Sequence, residues 1–90
     1  MKQNIFSLED KTILVTGASS GIGRGIAIQC ALMGAKVILN GRNKERLEET
    51  LGMLEGCQHS IIVADLSNQD EIEKLVNELP EIQGWVNSAG

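Results

Sequence analysis

Thr16-Gly17-Ala18-Ser19-Ser20-Gly21-Ile22-Gly23 stands between an apolar run at residues 12–15 and an apolar-periodic segment at residues 24–33. A β-branched run, a glycine-rich turn and then helical spacing describe a strand that feeds a helix through a loop with almost no side chains. In such a loop, backbone N–H groups can approach a phosphate at the helix N-terminus, where the helix dipole favours negative charge. The spacing is T-G-x-x-x-G-x-G, not G-x-G-x-x-G, and the strand before it and the helix after it give it meaning. Gly17 is expected to permit the tight turn out of the strand. Gly21 and Gly23 are expected to let the backbone pass close to phosphate and to let the helix pack against the sheet. A turn that bound nothing would carry the conformational entropy of three glycines with nothing to offset it.

Working outward, residues 11–16 read as the first strand and residues 22–33 as the first helix. The helix has apolar side chains at 22, 26, 27, 30, 31 and 33, and Gly34 follows where a C-terminal glycine is expected. Residues 36–40 form the second strand around Val37, Ile38 and Leu39. Asn43 is placed to cap a second helix over residues 44–54, whose Leu47, Leu51 and Leu54 share one face; Gly52 weakens it and Gly56 ends it. Residues 60–64 are the third strand. Ser67 or Asn68 then caps a third helix with Ile72, Leu75, Val76 and Leu79 in one stripe, and Pro80 stops it. Residues 84–87 form a short fourth strand containing Trp85 and Val86. Before all of these, Ile5, Phe6 and Leu8 are available to pack beneath the first strand.

Apolar strands alternating with helices predict an α/β fold, a Rossmann-like doubly wound parallel sheet with helices on both faces. Right-handed crossovers give the strand order 3-2-1-4. Residues 1–90 read as the N-terminal cofactor-binding portion of one such domain. Ninety residues bury only about 60 to 65% of their unfolded surface, so such a unit alone is marginally stable. The net charge of −4 argues against nucleic acid or an anionic membrane as partner. No stretch approaches the roughly 20 apolar residues of a membrane span, and residues 1–4 lack a signal-peptide core, which sets a cytoplasmic protein as the expectation. Cys30 is expected as a small core residue and Cys57 as a loop residue. His59 has no Cys or His at ligand spacing, so no metal site is expected. Trp85 and the methionines are expected to serve packing.

Three ordered motifs carry a resemblance across the whole chain. Residues 16–23 resemble the cofactor signature of the short-chain dehydrogenase/reductase family. Asp65-Leu66, ending the third strand, resembles the family's acidic contact to adenine. Asn87-Ser88-Ala89-Gly90 resembles its N-N-A-G, with Ser88 in place of the second Asn. The resemblance implies a Rossmann-like fold, NAD or NADP as cofactor, and carbonyl reduction or alcohol oxidation. It implies that Gly17, Ser19, Ser20, Gly21, Ile22 and Gly23 hold the cofactor's phosphates or ribose, and that Asp65 accepts from the adenine amine beside the Leu66 backbone. Asn87 would tie the fourth strand to the sheet, with Ala89 and Gly90 against the adenosine ribose. Asp65 also reads as a cap for the third helix, and Asn87 as purely structural.

Cofactor preference should follow from residues 40–43, Asn40-Gly41-Arg42-Asn43, at the end of the second strand. An NAD site places a carboxylate there for the ribose 2′-OH. This stretch has no acid and one guanidinium, and Arg42 can offer a forked, charge-assisted pair to a 2′-phosphate. Gly41 removes a side chain that would obstruct it. The expected cofactor is therefore NADP(H). Arg24, in the first helical turn, reads as facing solvent or as approaching the phosphates.

Carbonyl reduction needs a proton donor near the carbonyl oxygen. The resemblance implies a Tyr and a Lys in Y-x-x-x-K with a Ser and an upstream Asn, whereas this chain contains no Tyr. Those positions are expected beyond Gly90, with the chain a truncated part of a reductase that forms homo-oligomers at full length. No catalytic residue is assigned within the 90 residues. Within the family the loop and the N-G-R-N stretch most resemble 3-oxoacyl-[acyl-carrier-protein] reductases. A non-catalytic nucleotide-binding or interaction module, or a folding fragment without cofactor affinity, stand as the alternatives.

Overall fold

A computed structural model describes residues 7–88. Its elements run β1 (Thr12–Thr16), α1 (Gly21–Leu32), β2 (Lys36–Gly41), α2 (Lys44–Leu51), β3 (Ser60–Val63), α3 (Gln69–Glu78) and β4 (Gly84–Asn87). The strands form one parallel sheet in the order β3-β2-β1-β4, as the alternating pattern predicts.

Both faces of the central strands are covered, which is why β1 and β2 read as unbroken apolar runs. Val15, Val37 and Leu39 point to one face and pack with Ala27 and Ala31 of α1 and Leu47 of α2. Leu14, Ile38 and Ile62 point to the other and pack with Leu75 of α3. The alanines on α1 bring that helix close to the sheet. Leu8 packs against the same cluster, while Ile5 and Phe6 lie outside the described residues.

The reversal of strand order lies between β1 and β4. β1 pairs β2 on one side and β4 on the other, with Leu14 opposite Trp85. Trp85 therefore shares the face of Leu14, yet it is 63% exposed because α3 reaches only the strands before it. Cys30 is half-buried against the first cluster, where burial pushes its thiol pKa up, and Cys57 is exposed.

Three local expectations need correction. The second helix ends at Leu51, short of residue 54, because Gly52 takes its C-cap; Leu54 is still buried, through a tight turn in which its N–H donates to Leu51. Ile22 is 77% exposed and no part of the α1 stripe, since it sits on the first turn facing away from the sheet. Asn68, not Asp65 or Ser67, caps α3, its side chain accepting from the N–H groups of Asp70 and Glu71.

Candidate functional site

The C-terminal ends of all the strands open into one cleft of about 400 Å³. Its wall comprises Gly17, Ser19 and Ser20 after β1, Gly41 and Arg42 at the end of β2, residues 64–67 after β3, and Ser88 after β4. A cleft outside the carboxyl ends of parallel strands, beside the point where strand order reverses, is where this architecture binds ligands.

Gly17 and Gly23 do the structural work expected of them, the tight turn and the close packing of the helix, while Gly21 and Gly41 serve other needs. Gly17 and Gly21 have φ of 69° and 61°, the left-handed region that only glycine enters at little cost. A Cβ at Gly21 would meet nothing, so its requirement is one of backbone conformation. Gly23 is the reverse case: a Cβ there would collide with the carbonyl of Gly17 and the hydroxyl of Ser88. Gly23 is thus the close contact between α1 and the strand ends, and it does not line the cleft. At Gly41 an added Cβ would press on Leu47 at 3.1 Å, so this glycine makes room for packing.

Hydrogen bonds from every neighbouring element hold the loop. Ala18 donates its N–H to the carbonyl of Asn40 at 3.0 Å. The Thr50 hydroxyl, on α2, donates to the carbonyl of Ala18 at 2.9 Å. Arg24 donates from Nη2 to the carbonyl of Ser19 and from Nε to the Thr50 hydroxyl, both at 2.8 Å. The Ser88 hydroxyl donates to the carbonyl of Thr16 at 2.7 Å, and the Thr16 hydroxyl to Asn87 Oδ1 at 2.9 Å. Arg24 therefore does not simply face solvent. Asn40, Thr50 and Ser88 are structural members of the site that the glycine pattern did not reveal.

With the loop's carbonyls so engaged, its N–H groups are left over. Among the described residues, none of the N–H groups from Ser19 to Gly23 donates to a protein acceptor. The N-caps of α2 and α3 supply side-chain acceptors and their first turns carry acids, but Ser20, the N-cap of α1, makes no side-chain cap bond and its first turn has no acid. Helix N–H groups normally find a partner, and here the positive end of the α1 dipole faces open space. That donor set fits a phosphate group.

Across the cleft, Asp65 Oδ1 accepts from the N–H and the hydroxyl of Ser67, at 2.9 and 2.7 Å. Those bonds, with a smaller contribution from the Arg42 charge, hold the Asp65 carboxyl below the ordinary carboxylate range. Glu71 accepts the N–H of Asp65 at 2.8 Å and fixes the backbone there. Arg42 lines the cleft and also an adjoining groove of about 650 Å³ that runs over Ser19 and residues 43–46. Lys44 and Arg46 add two cations to that groove, although cations at a helix start oppose the dipole.

Of the residues expected to bind, Gly17, Ser19, Ser20, Arg42, Asp65 and Leu66 meet in the cleft. Gly21, Ile22 and Gly23 form the first turn of α1 beneath it, and Asn87 braces β4 against Thr16. Ala89 and Gly90 lie outside the described residues. Among the described residues there is no cluster of His, Cys, Asp and Glu suited to a metal, and no helix long and apolar enough to cross a membrane.

Residues 11–90 match the family described as short chain dehydrogenase. The chain is 42% identical over 80 residues to a glucose 1-dehydrogenase of Gluconobacter oxydans (strain 621H), covering 86% of this chain and 30% of that protein. A crystal structure assigned as a betaketoacyl-ACP reductase superposes with a TM-score of 0.85 at 36% identity, covering 93% of this chain and 35% of the other. A short chain dehydrogenase from Escherichia coli CFT073, solved in complex with NADPH, gives 0.81 at 35% identity, covering 98% and 40%. The chain spans under two fifths of the length of the curated relatives it first matches, 38%.

Proposed function

The chain belongs to the short-chain dehydrogenase family, and we propose that its cleft is the NADP(H) site of an oxidoreductase acting on a carbonyl or alcohol. The observation that carries this reading is the run of unengaged N–H groups at the open N-terminus of α1, set in a cleft with hydroxyls on both walls. When bound, the cofactor supplies or accepts a hydride at its nicotinamide. The chain's own residues bind and orient it. Ser19, Ser20, Gly21 and Ile22 would take the phosphates through backbone N–H groups and hydroxyls. Asp65 would accept from the adenine amine through Oδ2, since Ser67 occupies Oδ1. Gly17, Leu66, Ala89 and Gly90 would border the adenosine.

Preference for NADP(H) over NAD(H) rests on Arg42, exposed at the end of β2 with no acid at residues 40–43. Arg46, in the same groove, adds a second positive charge toward a 2′-phosphate. The relative solved with NADPH supports the same choice. A 3-oxoacyl-[acyl-carrier-protein] is the substrate class we favour, on the likeness to the assigned betaketoacyl-ACP reductase. The 90 residues contain no Tyr, and we assign them cofactor binding without turnover. We place the site in the N-terminal portion of a longer, homo-oligomeric enzyme.

Titration of the chain with NADPH and with NADH, followed by nicotinamide fluorescence, tests the reading. Saturable binding with NADPH favoured about tenfold or more is expected, a difference of about 1.4 kcal/mol. Binding of neither dinucleotide sinks the site; equal binding of both sinks the preference.

A further inference from the structure

We propose that Arg24 and Thr50 are a positioning pair that sets the peptide planes of Ala18-Ser19-Ser20, and through them the N–H groups that meet the cofactor. The proposal rests on the cofactor reading of the cleft, and reaches two residues that line no part of that cleft.

The geometry is a relay across two helices. Thr50 is fully buried on α2; its hydroxyl lies 2.9 Å from the carbonyl of Ala18 and 3.2 Å from that of Arg46 one turn back, the shorter contact being to Ala18, and its oxygen accepts Arg24 Nε–H. The second arm of the same guanidinium takes the carbonyl of Ser19 at 2.8 Å. In a trans peptide the C=O of one residue and the N–H of the next point in opposite directions. Anchoring the carbonyl of Ala18 toward α2 therefore turns the Ser19 N–H away from α2. Anchoring the carbonyl of Ser19 on Arg24 does the same for the Ser20 N–H. Both serines border the cleft, so two consecutive donors are oriented by bonds made on the opposite side of the backbone.

The fork of Arg24 suits this task, because its planar donors reach a backbone carbonyl and a hydroxyl at fixed separation, which a single ammonium cannot do. Glu49 is not part of the device. Its contact with Arg24 is 3.5 Å and its side chain is 67% exposed, so the pair is screened by water. The relay also joins α2, whose first turn carries Arg46 beside Arg42, to the glycine loop.

The test compares Arg24→Met, Thr50→Val, Thr50→Ser and Glu49→Gln with the wild-type chain. Amide spectra of the free, isotope-labelled protein are recorded alongside NADPH and NADH titrations. Thr50→Val and Arg24→Met should displace the Ser19 and Ser20 amide resonances while leaving those of β3 in place. They should weaken NADPH and NADH by about tenfold alike, with their ratio unchanged, as expected for loss of charge-assisted or buried hydrogen bonds. Thr50→Ser, which keeps the hydroxyl, should stay within about twofold of wild type, and Glu49→Gln should change neither readout. Should Arg24→Met or Thr50→Val fail to fold, Arg24→Lys, which keeps the charge on one donor nitrogen in place of the fork, is expected to give an intermediate displacement and loss. Unmoved loop amides, moved amides with unchanged affinity, or a change confined to the NADPH:NADH ratio would each overturn the proposal. If the wild-type chain binds neither dinucleotide, the cofactor reading has failed and the functional half of this inference fails with it. The loop amides then report separately whether the relay sets the peptide planes.

Discussion

The carbonyl of Asn40 accepts the N–H of Ala18 at 3.0 Å, while the carboxamide of the same buried residue donates to the carbonyl of Ile62 at 2.9 Å. One residue at the end of β2 thus ties the glycine loop to the sheet through its backbone and β3 through its side chain. Asn40 is 1% exposed, so neither bond can be exchanged for water.

Asn40→Leu should therefore lower stability by about 1–3 kcal/mol, because the Ile62 carbonyl loses a donor in a buried position. Urea unfolding measures it as a shift in midpoint at constant slope. A midpoint equal to wild type would mean that water or another donor reaches that carbonyl.

Gly23 and Gly25 stand two residues apart on α1 and should respond to alanine with opposite sign. A Cβ at Gly23 meets the Gly17 carbonyl and the Ser88 hydroxyl, and overpacking of that kind costs about 1–3 kcal/mol. At Gly25 a Cβ meets nothing, and replacing an exposed helical glycine by alanine should stabilise by about 0.5–1 kcal/mol. Thermal unfolding of the two single variants decides it. Equal effects would contradict the close approach at Gly23.

Ser67→Ala should raise the pKa of Asp65 part of the way to its ordinary value, since it removes the hydroxyl bond to Oδ1 and keeps the larger contribution of the Ser67 backbone N–H. A carboxyl whose folded pKa lies below its unfolded value favours the native state above the unfolded pKa, and that contribution disappears as pH falls through the folded value. The wild-type chain should accordingly lose more stability on acidification below about pH 4 than Asp65→Asn does. Carbon-13 titration of the Asp65 carboxyl follows the first expectation and unfolding at several pH values the second. An unchanged carboxyl midpoint in Ser67→Ala would remove the Ser67 hydroxyl as a cause and leave the backbone N–H.

Arg42→Asp should weaken NADPH by about a hundredfold and NADH by at most a few-fold, from loss of a charge-assisted pair and gain of a repulsive carboxylate. Parallel fluorescence titrations read the two constants. Equal losses would leave Arg42 as a solvated residue at the start of α2.

The alternation of strands and helices was legible because parallel strands covered on both faces must be apolar along their length, as in Val37-Ile38-Leu39. The helix ends were legible wherever a side chain caps them, as Asn43 does for α2. Gly52 was the ambiguous case: a glycine at that place either weakens a helix or ends it, and local spacing does not distinguish the two. Ile22 misled because it matches the spacing of α1 while the helix start turns it outward.

By itself the sequence determined the parallel sheet, the glycine loop at its carboxyl edge, and the positions of Arg42 and Asp65 at neighbouring strand ends. These are properties of short windows, where composition and period carry the physics. Only the tertiary structure decided that Arg24 reaches Thr50, that Thr50 holds Ala18, and that Ser88 closes on Thr16. Those partners are 26, 32 and 72 residues apart in the chain. Each pairing exists because the crossovers bring α2 and β4 back beside the end of β1, and a hydrogen bond formed that way leaves no periodic trace in the residues that make it.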